Sequence, residues 1–88
     1  MRKFRMLDSV VLERDIDAPC IRKGTPGVVL ELLGRVGGYG VAVEFFDPNG
    51  NSIDVALIPE IYVRPATEEE IEAARKLTAR LNTRGPAK

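Results

Sequence analysis

Apolar and polar residues alternate through most of the first two-thirds of the chain, with the two-residue period of a β-strand. Residues 6–14 predict a first strand, with Val10 and Leu12 facing a core and Val11 partly covered. Residues 27–33 predict a second, with Val28, Leu30 and Leu32 on one face and Val29, Glu31 and Leu33 on the other. Residues 39–46 predict a third, with Val41, Val43 and Phe45 inward and Ala42, Glu44 and Phe46 outward. Residues 52–58 predict a fourth, with Ile53, Val55 and Leu57 inward. Pro59-Glu60 breaks that strand as a single helical turn, and residues 61–64 form a short fifth.

Punctuation between the strands follows from turn chemistry. Asp15 to Lys23 predicts a long loop, because Pro19 excludes regular pairing through its middle. In Arg22-Lys23-Gly24-Thr25-Pro26-Gly27-Val28-Val29-Leu30-Glu31, two glycines suited to positive φ flank a Thr-Pro pair, and an apolar run follows at once. Gly34 to Gly38 reads as a flexible connection. Asp47-Pro48-Asn49-Gly50 is a hairpin signal, with Pro48 at the first corner of a type I turn and Gly50 at the left-handed position.

After Pro65 the period changes. Thr67 and Glu70 form a capping box, and Glu68 and Glu69 suit the positive start of a helix predicted over 68–82. Ile71, Ala74, Thr78 and Leu81 make a narrow apolar stripe, with Leu77 beside it, and Arg75, Lys76 and Arg80 fall in the later turns. Residues 83–88 are expected to fray. The prediction is a mainly β fold: a small five-stranded SH3-like barrel over 1–66, and one C-terminal amphipathic helix over 67–82. That helix caps its own barrel or a partner.

Composition narrows the function. A chain of 88 residues makes a single domain with a small core and little space for a cofactor cavity. Lys+Arg and Asp+Glu are both 13, so no global field draws it to nucleic acid or to an anionic membrane. Locally, residues 1–35 carry 7 basic and 5 acidic side chains, 36–66 carry 1 and 4, and 67–88 carry 5 and 4, so the middle third is acidic. Cys20 is the sole cysteine, which excludes an intramolecular disulfide and fits a reducing cytoplasm. Asp8 interrupts the basic start before any signal-peptide apolar region develops, and no apolar run approaches the ~20 residues of a membrane span. No membrane partner is expected.

Histidine is absent, which removes the usual general base, the Ser-His and Cys-His pairs and the commonest zinc ligand. No enzymatic activity, metal or cofactor is therefore predicted. Cys20, near Arg22 and Lys23, reads as a small half-buried side chain rather than a reactive thiolate. Asp47, Asn49, Asn51 and Asp54 have the flavour of a calcium loop but lack its Gly and Glu positions, so the turn reading holds. Gly34, Gly37, Gly38 and Gly40 lack dinucleotide spacing. Two sets of site residues remain. Tyr39, Glu44, Phe46, Asp54 and Tyr62 form a candidate partner surface, with Phe46 either covered by the helix or part of the patch. Arg2, Lys3, Arg5, Arg22, Lys23 and Arg64 are candidate anion or nucleic-acid contacts.

Leu7-Asp8-Ser9-Val10-Val11-Leu12, the 21–31 phrase, and Tyr39, Val43-Glu44-Phe45, Asp47 and Gly50 resemble a family of short bacterial proteins of unknown function with an SH3-like fold. The resemblance covers residues 6–65. Its Lys-Gly-x-x-Gly-x-Val phrase is also similar to KOW-type ribosomal and transcription-factor modules. Members of that family often stand beside toxin-like genes. The resemblance thus implies a protein-binding antitoxin, immunity or regulatory partner, with a KOW-like nucleic-acid module or a domain that dimerises through its helix as alternatives. The Gly34–Gly38 loop and the 68–82 helix depart from the family pattern.

Overall fold

A computed structural model describes residues 3–35 and 38–83, with the backbone alone at residues 35 and 77–83. The strands are β1 (Ser9–Leu12), β2 (Ile16–Asp17), β3 (Cys20–Ile21), β4 (Pro26–Arg35), β5 (Tyr39–Phe46), β6 (Ser52–Pro59) and β7 (Val63–Pro65). A 3-10 turn, Glu60–Tyr62, separates β6 from β7, and helix α1 spans Glu68–Thr83. Five strands form one antiparallel sheet in the order β6-β5-β4-β1-β7, and β2 and β3 make a separate ribbon. The sheet is not closed into a barrel: β6 and β7 are its edges.

One face of this sheet coils round a single core. Val10, Leu12, Val29, Val41, Val43, Phe45 and Val63 are fully buried, and Phe4, Ile21, Ala56 and Ile58 complete the cluster. Each large side chain so buried contributes about 1.5–3 kcal/mol relative to exposure. The inward set of β5 matches the pattern reading. Val11, expected to be partly covered, is also buried.

The 15–23 segment is not a plain loop. Pro19 sits in the tight turn of the β2–β3 ribbon, where the Ala18–Pro19 peptide is cis, and Ile16 pairs with Ile21. Ile21 thereby reaches the core, while Cys20 is exposed rather than half-buried. Gly24 has φ +93°, but Gly27 does not take positive φ; it lies inside β4. Gly34 also belongs to β4 rather than to a connecting loop, and residues 36 and 37 lie outside the described residues.

The ladders shift register at three places, Leu30, Gly34 and Ile53, and the first and last rearrange the predicted faces. In β4 the register passes from Val29↔Val43 to Glu31↔Ala42, so Leu30 is extra and the alternation breaks. Val29 is buried before the bulge and Leu32 packs on the core after it. In β6 the register passes from Phe46↔Ser52 to Phe45↔Asp54, so Ile53 is extra. A one-residue shift moves every later side chain to the opposite face. Ala56 and Ile58 are therefore the inward residues of β6, and Ile53, Val55 and Leu57 point out. The expectation of Ile53, Val55 and Leu57 as core is overturned by that bulge.

The Asp47–Asn51 hairpin forms as its residues predict. Gly50 donates to the Asp47 carbonyl, Gly50 has φ +86°, and Asp47 Oδ1 accepts the amides of Asn49 and Asn51, each at 2.9 Å.

Candidate functional site

The inverted strand β6 gives the outer face an apolar stripe. Ile53 is 44% exposed, Val55 42% and Leu57 71%, with Ile61 at 74% in the 3-10 turn just beyond. Opposite them on β5 stand Glu44, paired with Val55, and Ala42, paired with Leu57. Glu44 is half-buried between Val55 and Val28 of β4. Asp54 is exposed, and its Oδ1 accepts the backbone N–H of Val55 at 2.8 Å.

The five residues of the predicted partner surface divide. Glu44 and Asp54 fall on opposite faces, because Glu44 pairs with the outward Val55 and Asp54 with the inward Phe45 at the open edge. Phe46 ends β5 opposite Ser52, half-buried, and borders a groove of about 450 Å³ with Val28, Pro48, Ile71 and Ala74. Helix α1 thus shields Phe46 only in part. Tyr39 opens β5 at the opposite end, opposite Arg35. Tyr62 is not on this face: it packs against the core from the 3-10 turn, under the Arg14 guanidinium at 4.4 Å. The residues that the sequence reading missed are Ile53, Val55 and Leu57, and only the extra residue at the bulge could have revealed them.

The basic candidates are dispersed. Arg2 lies outside the described residues. Lys3 Nζ donates to the Val63 carbonyl at 3.5 Å and lies 5.2 Å from the Phe4 ring centre. Arg5 is exposed, and its amide donates to Asp8. Arg22 and Lys23 share the exposed turn before β4, where the Lys23 amide donates to Asp15.

Arg64 is committed elsewhere. Its guanidinium donates to both carboxylate oxygens of Glu70, each at 2.9 Å. Glu70 Oε1 also accepts the Thr67 amide at 2.8 Å, and Thr67 Oγ1 accepts the Glu70 amide at 3.1 Å, closing the predicted capping box. The Arg64 hydrogen bonds first, and the Thr67 amide second, hold the Glu70 carboxyl at about 2, below the usual carboxylate range. The same contact raises Arg64 above its ordinary value. This knot joins α1 to the end of β7. Beyond it, Ile71 is half-buried and Ala74 exposed; the rest of the predicted stripe, Leu77, Thr78 and Leu81, has side chains outside the described residues.

Among the described residues, no three of His, Cys, Asp and Glu stand close enough to hold a metal ion, and no helix is long and apolar enough to cross a membrane. No family model, no curated protein and no solved structure matches this chain.

Proposed function

We propose that this chain is a non-catalytic protein-binding module of SH3-like build that works through the outer face of β5 and β6. The observation that carries the reading is the exposed stripe Ile53, Val55 and Leu57 on an edge strand, bordered by Glu44. An apolar face at a sheet edge is costly to leave in water and is suited to a partner. The SH3-like build is supported by the sheet order β6-β5-β4-β1-β7, the β2–β3 excursion between β1 and β4, and the single 3-10 turn before the last short strand.

The partner is a protein that this chain neutralises or regulates, encoded beside it, in a reducing cytoplasm where Cys20 stays a thiol. The test is co-purification and isothermal titration with the product of the adjacent gene. Binding tighter than tens of micromolar is expected, and no heat of binding at that concentration sinks the reading.

A further inference from the structure

Antiparallel pairing alternates residues whose backbone groups point to the neighbouring strand with residues whose groups point away. Among the described residues, strand β6 has β5 on one side only. The Val55 N–H turns to its open side and is taken by the Asp54 carboxylate. Leu57, two residues on, faces the same side. Edge strands are commonly protected by Lys, by Pro in mid-strand or by brevity. Strand β6 runs eight residues, has no Lys, and carries Pro59 only at its last position. Its protection is a single acidic side chain placed over one donor.

Building on the protein-binding reading above, we propose that the β6 edge accepts an extended segment of the partner as an added antiparallel strand, apolar at alternate positions and carrying a Lys or Arg opposite Asp54. The side chains of Ile53, Val55 and Leu57 offer a continuous apolar surface to alternate residues of such a segment. Asp54 is the only charged residue of β6, and Glu44 stands beside Val55 on the next strand. A cation opposite Asp54 draws the carboxylate off the Val55 N–H and frees that donor for the incoming carbonyl. A neutral or acidic segment leaves the donor covered.

Charge also argues against a second copy in this place. A two-fold pairing centred on Val55 puts the two Asp54 carboxylates on a diagonal of about 7–8 Å, within the range of unscreened repulsion. Centring it on Ala56 instead sets Ile53 against Pro59 of the second copy, which has no N–H to donate.

The test uses the whole chain, labelled for NMR, and two synthetic peptides. The first, Thr-Val-Thr-Val-Lys-Val-Thr, aligns its valines with Leu57, Val55 and Ile53 and its lysine with Asp54. The second has Glu in place of Lys. The first peptide is expected to shift the Val55 and Leu57 amides and to bind at least about tenfold more tightly than the second. Asp54→Asn brings the two peptides to equal affinity, and Leu57→Lys, at an exposed position, abolishes binding of the first without loss of fold. The proposal is overturned by equal binding of both peptides to the unaltered chain or by no shift with either at millimolar concentration. It is equally overturned by shifts confined to the α1 groove, or by a dimer that Leu57→Lys converts to monomer. If the neighbouring gene product binds and Leu57→Lys leaves its affinity unchanged, the module reading survives and this edge assignment fails.

Discussion

Gly24 and Gly27 stand three residues apart and are glycine for opposite reasons. At Gly24 an added Cβ meets nothing within 4 Å, but φ is +93°. At Gly27 the backbone is ordinary, but a Cβ lands 2.6 Å from Val43 Cγ1 and 2.9 Å from both the Glu44 carbonyl and Phe45 Cδ1. Gly24→Ala is therefore expected to cost about 1–2 kcal/mol through strain, and Asn should restore part of it. Gly27→Ala is expected to cost about 1–3 kcal/mol through overpacking, with no relief from Asn. Urea denaturation of the four variants separates the two causes. Glu70 supplies a pH dependence at the same scale. Its folded pKa of about 2 lies below its unfolded value, so the unfolded chain binds more protons between the two. The stabilisation of α1 is complete above the unfolded value and fades as pH falls toward 2. Arg64 and Glu70 are about a third exposed (36% and 37%), so water screens the pair and the effect is local. Exchange protection of the Ile71 amide, which donates to the Thr67 carbonyl, should drop in Glu70→Gln at neutral pH and match the unaltered chain near pH 2.

Most elements were legible in the sequence because their signals are local. The capping box, the Asp47–Gly50 turn and the inward set Val41, Val43 and Phe45 of β5 each depend on residues close in the chain, and each formed as read, although Ala42, expected outward, is also buried. The β6 face was not legible, since a bulge is set by how two strands meet and leaves the composition of the strand unchanged. Both sets of β6 residues are apolar enough to be core: Ile53, Val55 and Leu57 against Ala56 and Ile58. The register decides: with Ile53 extra, Ala56 pairs with the inward Val43 and Ile58 with the inward Val41. The candidate site was half legible for the same reason: Glu44 could be named, but not the apolar residues beside it. Ile58→Ala is accordingly expected to cost about 2–5 kcal/mol, and Leu57→Ala less than about 0.5 kcal/mol. Equal costs in thermal or urea unfolding would return Leu57 to the core.

At the scale of the molecule, every described residue of the core cluster lies between Phe4 and Val63. Among the described residues, helix α1 adds a capping knot and one groove wall but no core residue. A chain ending at residue 66 is thus expected to fold cooperatively, with Tm lowered by no more than about 8 °C, the shift that about 1 kcal/mol produces at this size. Loss of a cooperative transition would show that α1 belongs to the core. The sheet also begins and ends in one place. Ser9 accepts the Ala66 amide at 3.0 Å, Val10 pairs with Pro65, and Lys3 reaches Val63. Entry and exit of the sheet are neighbours, so the order of its strands along the gene is not dictated by its architecture. A short linker can join residue 66 to Lys3, which keeps the core residue Phe4, and new ends can be cut at Pro48–Asn49, giving a circularly permuted chain. By the same geometry, the sheet can be spliced whole into a surface loop of another protein without prying that loop apart.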